Sequence, residues 1–287
     1  MDLDLMAQKY INDGYLVISE IFDQATVESI QAEIPKFRDG TYPVQDPFNQ
    51  TSTDSGLLAV HFPHWVSRPI FETLDHPNIK EVLQIIVGAH IPHWDGRVKC
   101  MQSMLFLKPP GFPGQAWHQD ERFIPTRDRS LVGVWIALDD ATLDNGCLRV
   151  IPGSHKMGQL WPTRPHNETE EFDLSDESYG FNSDDEEIVE VKAGSAVFFN
   201  GYLLHRSLRN LSNTSRRALV HHYMNAWSNL PWQVGADRLV DAATHDHRMI
   251  VPVAGDDPYP ERGIETNPNE VFIHPWGDEM EWGNWDA

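Results

Sequence analysis

His118 and Asp120 stand two residues apart in W-H-Q-D-E-R-F, residues 117 to 123. On an extended strand, side chains at i and i+2 point to the same side. An imidazole and a carboxylate are therefore aimed at one place. A third donor would complete a facial triad, in which two His and one carboxylate leave three octahedral positions open on a divalent ion. The candidate is His205, in F-F-N-G-Y-L-L-H-R-S, a run that follows a strand and precedes polar turn residues. Alone, His-x-Asp is a weak signal, because chance supplies many.

Arg216 lies eleven residues after His205, at the start of the next strand. Its rigid fork of donors matches a carboxylate. An oxygen-activating metal needs a reductant. A 2-oxo acid would chelate the ion through its keto and carboxylate oxygens, with its far carboxylate on this arginine. The rival role for Arg216 is a surface charge paired with an acidic loop; Arg217 is the neighbour on the other face and the fallback. Other histidines read as bystanders. His155, in P-G-S-H-K, reads as a turn residue, and His245 and His247 sit in an irregular tail. His221 and His222 adjoin on a strand, so both cannot face inward.

These residues need elements to carry them. The first forty residues read as helix, the short strand Y-L-V-I, and a second helix capped by Asp23. Residues 39 to 67 read as loop, and Pro77 to Val87 as a helix with Pro in its first turn and Gly88 beyond its end. From about residue 97 short apolar runs alternate with P-P-G, D-N-G, P-G-S and K-A-G turns, the pattern of an all-β barrel or sandwich. The expected organisation is a single domain over residues 1–287: helices within 1–96, a barrel core near 97–227 and an irregular extension over 228–287. That Trp- and Pro-rich extension would wrap the surface or join a homo-oligomeric contact.

Composition narrows the partners. A formal net charge of -21 argues against nucleic acid and anionic membranes. No apolar run reaches the roughly 18 residues of a membrane span. The acidic start lacks the basic residues and apolar stretch of a signal peptide, so a cytoplasmic location is expected. Cys100 and Cys147 form no C-x-x-C pair and read as two reduced, buried thiols. Residues 168 to 190 hold eleven acids and no Lys or Arg. Such a block reads as a solvated loop, or as a lid attracting a cationic substrate.

Taken together, Q-S-M-L-F-L-K-P-P-G (102–111), W-H-Q-D (117–120), V-W-I-A-L-D-D (134–140), N-G-C-L-R-V-I-P-G-S-H (145–155) and H-R-S-L-R-N-x-S…R (205–216) resemble the phytanoyl-CoA dioxygenase family of iron(II)/2-oxoglutarate oxygenases. The blocks occur in family order, and the likeness spans roughly residues 5 to 225. The resemblance implies a mainly β fold, a double-stranded β-helix (a jelly-roll, cupin-like barrel) with helices packed outside. It implies Fe(II) on His118, Asp120 and His205, with 2-oxoglutarate on Arg216 and dioxygen as the oxidant. It also implies that Met104, Gln119 and Trp135 line the cosubstrate pocket; their bland alternative is core packing. Because Asp120 fills the place that halogenating relatives leave to chloride, hydroxylation is the expected reaction. No basic cluster suits the phosphates of CoA, so a small metabolite, neutral or cationic, is the expected substrate. Gln102 and Arg122 are candidate polar handles for it, and Trp117, Phe123 and Trp227 candidate apolar walls. Two other functions use the same residues: a cupin-like binding module without turnover, and a zinc hydrolase.

Overall fold

The computed structural model describes residues 3–45, 56–228, 250–260 and 271–276. Its helices are α1 (Leu3–Asp13), α2 (Gln24–Gln31), α3 (Arg68–Phe71) and α4 (Pro77–Ile86). Its strands are β1 (Tyr15–Ile18), β2 (Gly56–His61), β3 (Val98–Lys108), β4 (Gln115–His118), β5 (Val132–Ala137), β6 (Leu148–Val150), β7 (Thr163–Arg164), β8 (Glu177–Ser178), β9 (Glu187–Val189), β10 (Ala196–Asn200), β11 (His205–Ser207), β12 (Arg216–Asn225), β13 (Val251–Ala254) and β14 (Phe272–Trp276). Among the described residues no helix is long and apolar enough to cross a membrane.

The strands build a double-stranded β-helix. The major sheet runs β1-β10-β5-β12-β3-β2-β14, with β13 also paired to β3; the minor sheet runs β4-β11-β6-β9. Every pairing in these two sheets is antiparallel. Alternation along β12 sorts side chains between two apolar layers. Leu219 and Tyr223 join the cluster shared with the helices, whereas Ala218 and Val220 join the cluster between the sheets. The helix side explains why the N-terminal segment folds as it does. Asp23 accepts from Thr26 N at 2.8 Å and caps α2, whose Val27 and Ile30 are buried. Helix α4 begins at Pro77 and buries Ile79, Val82, Leu83 and Ile86. Each such side chain contributes about 1.5–3 kcal/mol when fully buried.

Three departures from the sequence reading are informative. Residues 39 to 67, read as loop, contain β2, whose run G-L-L-A-V-H lacks polar alternation because Leu57, Leu58, Ala59 and Val60 are all buried. The extension after residue 228 supplies β13 and β14, which pair with β3 and β2. Their backbone donors and acceptors are satisfied by edges of the major sheet, a long-range pairing that no local period records. The acidic block is not simply solvated. It holds β8 and β9, and Glu186 is bound by both Arg149 and Arg206. Cys100 and Cys147 are free and buried; burial pushes their thiols up to about 12 and about 11.

Candidate metal centre

His118 ends β4 and His205 begins β11, and the two are direct partners across the minor sheet. Gln119 is extended (φ -130°, ψ 124°), so Asp120, the first residue of a 3-10 turn, returns to the side of His118. Asp120 Oδ1 lies 3.6 Å from His118 Nε2 and 3.5 Å from His205 Nε2. One ligand atom from each of the three residues falls within 4.8 Å of the others, and all three residues are buried.

The proton positions decide what this cluster can do. His118 Nδ1 donates to Ala116 O at 2.8 Å, and His205 Nδ1 donates to Leu203 O at 2.9 Å. A carbonyl can only accept, so both Nδ1 atoms carry a hydrogen, and in the neutral form of each ring Nε2 presents a bare lone pair. Burial holds the His118 imidazole down, to about 3, with His205 opposing its charge as well. Burial pushes the Asp120 carboxyl up, but the facing imidazoles of His205, His222 and His118 outweigh it and keep it below the carboxylate range. Two lone pairs and an anionic oxygen thus converge without a donor between them. A divalent cation resolves that conflict, and second bonds from ligand imidazoles to carbonyls are the usual support of such an ion. The residues present fit a metal.

The site opens into a cavity of about 570 Å³ lined by His118, Asp120, His205, Arg216, Met104 and Trp135 among others. Arg216 is 4% exposed, and its guanidinium lies 5.5 Å from the Trp135 ring centroid. Burial pulls it down to about 10, and its Nε has no partner. Among the described residues no carboxylate forms a salt bridge with it, whereas Arg217 forks onto Asp139 at 2.6 and 2.8 Å. A buried, uncompensated cation is costly unless a ligand anion completes it. The pairing with the acidic block considered for Arg216 is absent among the described residues, and the fallback Arg217 is already neutralised.

The other sequence candidates divide. Gln102 and Phe123 line the cavity. Gln119 does not: its amide donates to Gln159 O and Tyr202 O at 3.1 and 2.7 Å and accepts from Trp161 N at 2.8 Å. Lying between two inward residues, it must point outward, where it braces two loops. Trp117 points outward for the same reason and packs under the Arg206 guanidinium, 4.6 Å away. Arg122 is exposed and away from the cavity lining. Trp227 is 48% exposed, donates to Asp95 at 2.8 Å, and is likewise outside the lining. His155 lies in a 3-10 turn with Nε2 3.2 Å from Ile11 O, and 245–247 fall outside the described residues.

Polar lining residues that sequence reasoning missed include Lys108, Asp173, Ser207 and His222. Strand parity could have found two of them. Lys108 is the register partner of Arg216, and His222 shares the inward parity of Arg216 along β12. Lys108 Nζ donates to Ser207 Oγ at 3.0 Å and to Leu208 O at 2.5 Å. Burial, and then the Arg216 charge, pull that amine well below its ordinary range.

Comparisons with known proteins agree with this geometry. The family described as phytanoyl-CoA dioxygenase (PhyH) matches residues 10–218. A "Phytanoyl-CoA dioxygenase" of Arabidopsis thaliana is 41% identical over 137 residues, covering 46% of this chain and 48% of the relative. A "Phytanoyl-CoA dioxygenase domain-containing protein 1 homolog" of Caenorhabditis briggsae is 26% identical over 272 residues, covering 79% and 94%. The chain spans about half the length of the first curated relatives it matches. Among solved structures, the non-heme monooxygenase ThoJ in its apo form superposes with a TM-score of 0.65 at 20% identity, covering 88% of this chain and 84% of ThoJ. The epimerase SnoN, in complex with Fe3+, alpha ketoglutarate and nogalamycin RO, gives 0.62 at 18% identity, covering 94% and 98%. At these identities the structural likeness establishes the shared fold.

Proposed function

Since the chain belongs to the phytanoyl-CoA dioxygenase family, we propose that it is an iron(II)- and 2-oxoglutarate-dependent dioxygenase that hydroxylates a neutral or cationic small molecule. One observation carries the reading. A cavity holds three converging metal-ligand atoms and, at another part of its wall, a buried arginine with no protein counter-ion among the described residues.

His118, Asp120 and His205 would hold the ion. Bound there with 2-oxoglutarate, iron(II) supplies the means to split dioxygen between the oxo acid, which leaves as succinate and carbon dioxide, and a substrate C–H bond, which becomes C–OH. The remaining work belongs to the chain. Arg216 binds the distal carboxylate of the oxo acid, and Ser207, held by Lys108, offers a hydroxyl in the same wall. Met104, Trp135, Leu148, Phe199 and Val220 keep that part of the cavity dry. A dry wall strengthens each charge interaction inside it. Phe123, 49% exposed and lining the cavity, stands at the mouth.

Two features support a neutral or cationic substrate. The formal charge is -21. The one further arginine in the described lining, Arg206, is already bound to Glu186 at 2.5 Å. Asp173 and Ser175 of the acidic block also line the cavity, which favours a covering role for that block. Hydroxylation is preferred over halogenation because Asp120 Oδ1 occupies the place beside both Nε2 atoms.

The test is anaerobic titration of the Fe(II)-loaded protein with 2-oxoglutarate, followed by oxygen and assay of succinate. The reading expects binding, a new visible charge-transfer band and succinate release. Activity that persists when zinc replaces iron would transfer the site to hydrolysis. Binding without any turnover across substrate panels would leave a binding module.

A further inference from the structure

His222 has no part in the triad, yet it touches it. Its Nε2 lies 3.0 Å from Asp120 Oδ2, the carboxylate oxygen turned away from His118 and His205. The ring is 4% exposed and lines the cavity. Its other nitrogen, Nδ1, is buried without a hydrogen-bond partner. The bond to Asp120 is thus the one hydrogen bond recorded for this imidazole among the described residues. An anionic carboxylate oxygen accepts, so Nε2 carries a hydrogen. In His118 and His205 the nitrogen that donates is the other one, Nδ1. Three imidazoles meet one carboxylate: two present lone pairs beside one oxygen, and the third donates a hydrogen to the other.

Regular alternation along β12 aims this side chain. The pairing of β12 with β5 runs unbroken through His222 and Tyr223, and His222 keeps the inward parity of Arg216 and Val220, which also line the cavity. The register slip against β3 at this point lies on β3, which carries the extra residue Met101.

We propose that His222 is a positioning residue that holds Asp120 as a one-oxygen metal ligand. The consequence is a count of coordination positions and rests on the oxygenase reading above. Three protein ligand atoms leave three of six octahedral positions. A chelating oxo acid takes two, and one remains for dioxygen. If Oδ2 swung in and Asp120 chelated, the sixth position would be filled. By occupying Oδ2, His222 keeps that position open and fixes the carboxylate's rotation.

The experiment uses the full chain with His222→Leu and His222→Gln. The glutamine amide nitrogen reaches about as far as Nε2 and keeps a donor. The first readout is Co2+ affinity without cosubstrate, alongside the melting temperature of the metal-free protein. The second is formation of a nitric oxide adduct by the anaerobic Fe(II)–2-oxoglutarate protein, with nitric oxide standing in for oxygen. For His222→Leu the expectation is a ~10–100-fold change in Co2+ affinity, the size typical of losing a partner that orients a metal ligand, and loss of the adduct. His222→Gln should restore both. A His222→Leu protein that melts like the parent, binds Co2+ like the parent and forms the adduct overturns the proposal, as does failure of His222→Gln to restore either readout. If the parent binds Co2+ but not 2-oxoglutarate, the oxygenase reading falls. The Co2+ comparison then still decides whether His222 positions Asp120.

Discussion

His221 and His222 are neighbours on one strand, equally deep, and serve opposite faces of the major sheet. His221, 0% exposed, faces the helices, where its Nε2 meets Thr73 Oγ1 at 2.8 Å. Its register partner Ser103 bonds His64 Nδ1, so the outer face holds two imidazoles against two hydroxyls. Burial pushes both down, His64 to about 3 and His221 well below its ordinary value. On the inner face His222, His118 and His205 surround a carboxylate. A hydroxyl can donate or accept and so satisfies a neutral imidazole whatever its tautomer. Asp120 accepts from His222 through Oδ2, but its Oδ1 faces the Nε2 atoms of His118 and His205 at 3.6 and 3.5 Å, where a cation would serve all three. Burial alone therefore does not mark a histidine as functional; what its ring nitrogens face does.

The largest test of that contrast is Asp120→Ala. It should abolish iron-dependent succinate formation and metal binding, while the metal-free protein still melts cooperatively, at a somewhat lower temperature because His222 loses its acceptor. Measuring metal binding and melting on one sample separates this from misfolding. Full activity would break the distinction between the faces.

Next in size is Arg216→Ala. The 2-oxoglutarate concentration needed for half-saturation should rise on the order of 100-fold, as expected for the loss of a buried charged partner. Co2+ affinity measured without cosubstrate should not move. An unchanged requirement would detach the arginine from the cosubstrate.

The outer face predicts a pH effect on stability instead. His64 has its folded value near 3 against 6.5 for an ordinary histidine. Between these values the unfolded chain binds the extra proton. The contribution is fully present above pH 6.5 and is lost progressively as pH falls toward 3. From pH 7 to pH 5 that is about 2 kcal/mol. Urea midpoints of metal-free protein at the two pH values should therefore differ less in His64→Gln than in the parent.

The smallest effect is expected at Arg217→Ala. This pair with Asp139, partly covered on both sides, should contribute about 1 kcal/mol to stability, with no change in 2-oxoglutarate affinity in the same titration that tests Arg216.

Much of the site could be read from the chain because its logic is local. The i, i+2 spacing of His118 and Asp120 survives even though Asp120 lies beyond the end of β4, since Gln119 between them stays extended. The same parity should have warned that Gln119 and Trp117 point away from the metal. Met104 and Trp135 sit in one inward row, both paired with Val220. Strands β2, β13 and β14 are not legible in the sequence because pairing partners far apart in sequence leave no period in either segment.

The chain by itself determined the ligand types, their spacing and the alternation that puts Arg216 and His222 on one side of a strand. Those are properties of bonded geometry over a few residues. Which side faces a cavity, which imidazole nitrogen carries the hydrogen, and which arginine is left without a carboxylate were decided only by folding. Each depends on groups brought close by the pairing of two sheets, and a hydrogen bond or a buried charge is defined by neighbours in space.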